Sequence, residues 1–265
     1  MYFSWRNIFL LFIGLTFSMI SHGSDAYRYT KVRQIIFAGQ FKQITVDVHH
    51  NSDVIIDSVT DKNSLSFQQT GDVLSIETTN NQSGAKSSQS IHGGITNIAI
   101  GDNATSIVSI GSVETNTTYN NQSPAEVRVI VPKGISVRLQ GNIANAQIGD
   151  TLGTLILDAG GSGKIEAGSV GSVSARLAGA VSINIAKVVG DLRIDMSGSG
   201  KLKVDDGEIR LLDIATTGAG NVDVNAIAEK ASIHVVGAGT VRVKQVKTKP
   251  EVSVIGAARV DVGGY

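Results

Sequence analysis

The residues of this 265-residue chain best suited to chemistry are the carboxylates of its C-terminal half: Asp195, Asp205, Asp206, Asp213 and Asp223. Arg176, Arg193 and Arg210 lie near them in sequence. Brought together on one face, they could supply the acid and base of polysaccharide cleavage, which needs paired carboxylates with one pKa shifted. Their scatter over turn and outward-strand positions reads instead as a solvated exterior of mixed charge. His49 and His50 are adjacent, so on a strand their side chains point to opposite faces and cannot share one ion. His92 and His234 are isolated. The Asp205-Asp206-Gly207-Glu208 turn is acidic enough to attract Ca²⁺ but lacks the regular Asp-bearing repeat of calcium-binding solenoids. There is no G-x-S-x-G nucleophile elbow. The sequence predicts no catalytic residue, no metal site and no cofactor.

The elements that would position such residues announce themselves through glycine. Gly161, Gly179, Gly198, Gly218, Gly237 and Gly256 follow one another at steps of 18, 19, 20, 19 and 19 residues, and Gly141 lies 20 residues before the first. Around each, apolar and polar residues alternate at period two, the pattern of a half-buried strand. In one unit Ile233, Val235, Gly237, Gly239, Val241 and Val243 fall on one parity, with His234, Arg242 and Lys244 on the other. Leu192, Ile194, Met196, Gly198, Gly200, Leu202 and Val204 form the inward set of another unit, and Val252, Val254, Gly256, Ala258, Val260 and Val262 that of the last. The seven glycines on the inward parity are read as structural turns or corners, where a bend or a positive φ excludes a side chain. A unit of this length cannot bury its own apolar face, so the units must stack. The fold class is therefore all-β: a β-helix or β-solenoid of about seven 18–20-residue coils over residues 135–265, roughly 30 Å tall at the usual strand spacing.

Composition agrees with one elongated domain or two closely joined halves. There are 30 glycines, 3 prolines, no cysteine and a net charge of zero. Neutral, interspersed charge excludes a nucleic-acid partner, which needs a concentrated basic stripe. The first 23 residues read as a signal peptide, with Arg6 in the n-region, an apolar run from Ile8 to Ile20, and cleavage after Gly23. The run is short for a membrane span, and no membrane span is expected after cleavage. Without cysteine there is neither a disulfide framework nor a lipid-bearing cysteine.

Residues 24–134 read as an N-terminal β region, with a polar insertion at about 80–123. Ile44, Val46 and Val48 alternate, as do Leu65 and Phe67, and Leu74 and Ile76, with a tight turn at Thr70-Gly71-Asp72. Val127, Val129 and Val131 lead through Pro132-Lys133-Gly134 into Ile135, Val137 and Leu139, a strand, turn and strand feeding the first coil. The order FKQITVDVHHNSDVIIDS, DVLSIET, EVRVIVPKGISVRLQG, then DMSGSGKLKV, TTGAGNVDV and VVGAGTVRV, resembles the bacterial family called the putative auto-transporter adhesin head GIN domain, over residues 35–80 and 124–265. The resemblance implies an exported two-part β-solenoid and brings no catalytic residues. Its adhesin label is a functional analogy.

The insertion is rich in Asn, Ser, Thr and Gly and is expected to be a mobile surface loop with a small hairpin. Its centre, NIAIGDNATSIVSIGS, also resembles the short repeats in the heads of trimeric autotransporter adhesins, though only two IG steps occur. Four N-x-S/T sequons, at Asn81, Asn103, Asn116 and Asn121, read as incidental to a bacterial chain.

Aromatic usage weighs against a carbohydrate machine. Trp5 lies in the leader, and Tyr265 is the sole aromatic residue after Tyr119. A sugar platform would have to come from Tyr27, Tyr29, Phe37 and Phe41 or from the insertion. The expectation is an exported, non-enzymatic solenoid in the periplasm or at the cell surface, with a binding, adhesin-like or envelope-structural role. Its partner would be an unknown protein or glycan, or a further copy docked at an exposed solenoid edge. The alternative is a polysaccharide-binding or polysaccharide-cleaving β-helix.

Overall fold

Alternating apolar residues of this density can satisfy their backbone only by pairing strand on strand, and the computed structural model shows that pairing throughout its described strands. It describes residues 27–60, 64–79, 90–92, 95–99, 105–109 and 125–264. The predicted leader and the asparagines of the four sequons lie outside them.

The first strands are β1 (Tyr27–Tyr29), β2 (Gln34–His49), β3 (Val54–Val59), β4 (Leu65–Thr70) and β5 (Val73–Thr78). In the insertion come β6 (Ser90–His92), β7 (Ile95–Ala99) and β8 (Thr105–Ser109). There follow β9 (Ala125–Pro132), β10 (Ser136–Ile143), β11 (Asn145–Ile148), β12 (Leu155–Val170), β13 (Val173–Val188) and β14 (Leu192–Gly198). The last are β15 (Lys201–Gly218), β16 (Asn221–Gly237), β17 (Thr240–Val246), β18 (Glu251–Gly256) and β19 (Arg259–Val262). Where a loop with a hairpin was expected, β6, β7 and β8 pair antiparallel into a three-stranded sheet of their own.

The chain is a β-solenoid of about seven turns, each coil hydrogen-bonded in parallel to the next. Each coil contributes one strand to a first ladder, turns at a glycine corner, and contributes a second strand to a second ladder. Inward side chains stack in columns. Phe37, Leu139, Leu157, Ala175, Ile194, Ile214 and Ile233 form one in the first ladder, all of them buried. Ile44, Ala146, Ile165, Ile183, Leu202, Val222 and Val241 form another in the second. These columns are the core, and burial of branched aliphatic side chains supplies its main driving force.

The stack begins well before the repeat visible in sequence. β2 runs parallel to β10 with Gly39 opposite Gly141, so Gly39 heads the corner glycines. Above β2 lie β5 on the first ladder and β9 on the second, both parallel to it. β4 and β3 then pair antiparallel to these, and β1 antiparallel to β3. β4 and β5 are joined by the tight turn at Gly71, whose φ is +62°. Pro132-Lys133-Gly134 does not join neighbouring strands: β9 and β10 lie on opposite sides of β2.

At the corner, Gly179, Gly198, Gly218, Gly237 and Gly256 have φ between +100° and +126°. A Cβ on Gly218 would sit 2.5 Å from the Gly198 carbonyl oxygen, and one on Gly237 would sit 2.2 Å from that of Gly218. Both conformation and space therefore require glycine. The alternation pattern predicts these glycines on the inward parity, but the structure leaves Gly179 and Gly218 exposed and Gly198 and Gly237 half-buried. The bend lifts only that glycine out of the core line: the inward parity resumes unchanged beyond it, with the second glycine of each G-x-G, Gly200, Gly220 and Gly239, buried. Gly200 and Gly220 leave the volume that the Met196 thioether fills. The stack is interrupted once, where Gly141 pairs with Ala159 and Gly161 faces the Asn142 side chain instead of a glycine.

The last coil also departs from expectation. Val252 and Val254, predicted inward, are 47% and 42% exposed, because no coil among the described residues lies beyond them.

Three substitutions test this packing. Gly218→Ala is expected to cost about 2–3 kcal/mol through strain and the carbonyl clash. Gly71→Ala, at a positive φ with nothing within 4 Å of its Cβ, should cost about 1 kcal/mol. Urea midpoints compared at constant slope check the difference. Thr216 is 3% exposed in the column between Met196 and Val235, and its hydroxyl has no hydrogen-bond partner. Thr216→Val is expected to raise stability by about 1 kcal/mol, seen as a higher midpoint in the same titration.

Candidate functional site

Strand alternation sends every second residue outward, so the outward faces of the ladders are columns of side chains set by the same register as the core. On the first ladder Gln140, Asp158, Arg176, Asp195, Ala215, His234 and Ser253 succeed one another. Beside them run Arg138, Ile156, Ser174, Arg193, Asp213, Ser232 and Glu251. Arg138 bonds Asp158 at 2.6 Å, Arg176 lies 3.8 Å from the other oxygen of Asp158, and Arg193 donates to Asp213 at 3.1 Å. Asp158, Arg176, Asp195 and Ser197 line a shallow depression of about 370 Å³ beside the corner.

On the second ladder the corresponding column is Thr45, Gln147, Glu166, Asn184, Lys203, Asp223, Arg242 and Asp261. Its upper part, with Asp47, lines a second shallow depression of about 370 Å³. Glu166 is paired with Lys164 at 2.6 Å and Asp47 with Arg128 at 2.6 Å. Gln147 and Asn184 are exposed, and among the described residues no side-chain hydrogen bond engages their amides.

The carboxylates singled out in sequence are distributed rather than convergent. Asp195 and Asp213 stand on the first ladder, Asp205 and Asp223 on the second. Asp205 pairs with Lys203 at 2.5 Å, Asp206 with Lys187 at 3.3 Å, and Arg210 with Asp191. Where carboxyl groups are perturbed, they are held below the usual range and so stay ionised. Asp206 is lowered chiefly by the Gly207 backbone N–H and then by Lys187. Asp150 is lowered by the Ser169 backbone N–H at 2.6 Å, and Glu126 by its bond to Lys42. A general acid needs the opposite shift. Tyr29 is raised by burial and then by its neighbour Tyr27.

His49 is held locally: its Nδ1 accepts from the Asn51 N–H at 3.3 Å and its Nε2 donates to the Asp53 carbonyl at 2.8 Å. Among the described residues no group of three or more His, Asp or Glu could hold a metal ion. Two of the aromatic residues proposed as a sugar platform are not at the surface: Phe37 and Phe41 are buried edge to face in the core columns, covered on the cap side by Ile76 and Ala125. Tyr27 stacks on Phe67 of β4.

Sequence reasoning missed Gly39 and with it the start of the stack. The signal was present, since Ile35, Phe37, Gly39 and Phe41 repeat the spacing of Val137, Leu139, Gly141 and Ile143. The intervening cap strands and insertion hid the periodicity.

Comparison with solved structures places the same architecture elsewhere. A putative adhesin from Parabacteroides distasonis ATCC 8503 is 13% identical, with 90% of this chain and 96% of that chain covered at a TM-score of 0.51. A putative adhesin from Bacteroides fragilis NCTC 9343 is 11% identical over 89% of this chain and 94% of that one, with a TM-score of 0.45. At such identities the first likeness shows a shared fold. No curated protein matches the chain. The family described as "Putative auto-transporter adhesin, head GIN domain" matches residues 34–264, from the first strand of the stack to the end of the last coil, and the chain belongs to that family.

Proposed function

We propose that this chain is an exported, non-enzymatic recognition module of the bacterial envelope, adhesin-like in that it binds a protein or glycan through an outward ladder face. The observation that carries this reading is the second-ladder row of Thr45, Gln147, Glu166 and Asn184. It presents uncommitted amides beside fixed charges in an open trough, at the regular rise of a parallel sheet. Such a row suits an extended partner that hydrogen-bonds along the stack. The perturbed carboxylates stay ionised and the acidic residues are spread over two ladders, which supports recognition rather than hydrolysis. The adhesin wording of the family points the same way. Export rests on the leader pattern of the first 23 residues. No helix of the described residues is long and apolar enough to cross a membrane.

Protease shaving of intact producing cells, with a lysed control and an immunoblot for this chain, tests the location. Digestion on intact cells is the expected result; digestion only after lysis would overturn the adhesin role and leave a periplasmic one. Gln147→Ala combined with Asn184→Ala tests the face. With surface level unchanged on the blot, adherence of producing cells to plates coated with a glycoprotein mixture should fall about tenfold, the loss of roughly two hydrogen bonds. Unchanged adherence would remove this row from the binding surface.

A further inference from the structure

The two ends of the stack are finished differently. At the cap end the outermost strands are β1, three residues long, and β4, whose exposed positions are the polar Ser66, Gln68, Gln69 and Thr70. Short strands and polar edges blunt pairing with another chain. At the other end β18 pairs only with β16, and β19 only with β17, so each has one open edge among the described residues. Val252, Val254 and Ile255 there are 47%, 42% and 58% exposed, the first two being the last members of core columns.

The geometry points to a second copy of this chain as the occupant of that edge, docked tail to tail about a two-fold axis through Val260. Two independent features select this centre. The first is the backbone. Arg259 N–H donates to the Gly239 carbonyl at 3.0 Å and Gly263 N–H to that of Val243 at 3.0 Å, so alternate residues of β19 face the preceding coil. The N–H and C=O of Val260 therefore face the open edge. In an antiparallel pair, residues placed so exchange both of their hydrogen bonds, and Val260 can do this with its own copy.

The second is charge. Down the second ladder the outward column runs Lys203, Asp223, Arg242, Asp261, alternating in sign and stopping on a carboxylate at the open edge. Antiparallel pairing centred on Val260 sets Arg259 of each copy opposite Asp261 of the other, which continues the alternation twice over. A parallel in-register apposition would instead stack Asp261 on Asp261. The same operator brings the exposed valines of one end against those of the other, an isologous contact that closes at two copies.

The purified chain is expected to be a dimer at micromolar concentration by size-exclusion chromatography with light scattering. Arg259→Asp places two carboxylates opposite each other and should weaken the dimer at least about tenfold, with the dichroism spectrum unchanged. Combining Arg259→Asp with Asp261→Arg restores each opposite pair and should recover affinity to within about threefold, a rescue that a purely local role for either residue does not give. The chain has no cysteine of its own. Val260→Cys should therefore form an intermolecular disulfide on mild oxidation, because a pair that exchanges both hydrogen bonds holds its Cα atoms about 5.5 Å apart, within disulfide reach. A monomer up to about 100 μM, or open-ended polymers, would overturn the proposal, as would a dimer indifferent to both charge variants. This inference is independent of the binding role of the ladder face, which shaving and adherence test separately.

Discussion

The space between successive corner glycines is the constraint on which the rest of the structure depends. The carbonyl oxygen of Gly198 occupies the place that a side chain on Gly218 would need, and the Gly218 oxygen does the same for Gly237. Coils can therefore approach at the spacing of a parallel sheet only if each corner lacks a Cβ. Once the corners are stacked, the inward and outward columns follow, since both ladders inherit their register from the same point. The unequal steps between glycines are taken up elsewhere. The 20-residue step from Gly198 to Gly218 contains the irregularity between Val204 and Glu208, on the far side of the coil from the corner.

A stack built by repeating one unit has no intrinsic end, so each end needs its own solution. At the first coil the solution is a change of strand direction. β5 and β9 continue the parallel ladders, then β3 and β4 run antiparallel. Aromatic bulk is concentrated there, with Phe37 against Phe41 in the core and Tyr27 against Phe67 over it. Large rings fill volume beneath the strands at which the parallel ladders give way to antiparallel pairing. This also explains why the aromatic residues that looked available for a sugar platform are not all at the surface. At the last coil the columns stop on valines whose strands have an open edge among the described residues, a surface whose chemistry is that of a sheet interior.

The sequence made the coils legible because one physical requirement recurs with a fixed period: a residue without a side chain at each corner. Period-two alternation then identified Ile194, Leu202 and Ile233 as core, and all three are buried. What could not be read was anything non-periodic. Gly39 obeys the same local pattern as Gly141, but cap strands and the insertion separate them in the chain, so spacing gave no hint of their contact. The lift of each first glycine out of the core line was also hidden, since parity counting places it inward and only its positive φ takes it to the outside of the bend. At the site, the outward residues could be named but not paired. That Arg193 meets Asp213 across one coil while Asp205 meets Lys203 within a strand depends on register, which only the folded stack supplies.

Register itself raises a further difficulty that the outward residues help to resolve. Inward columns of Val, Ile and Leu are nearly interchangeable from coil to coil, so burial alone would tolerate pairing a strand with the wrong coil. The outward columns are not interchangeable. Sliding Arg193 by one coil would remove it from Asp213 and set it against Ser232, and sliding Lys203 along its column would replace Asp223 by Arg242. Each exposed pair contributes little to stability, yet a misregistered stack loses several at once and places like charges together. Coil lengths that differ by a residue or two add to the penalty, because a slipped corner no longer meets a glycine. The polar faces of the ladders are thus also what give the repetitive core one arrangement, and the order of charges along those columns is a record of the register of the fold.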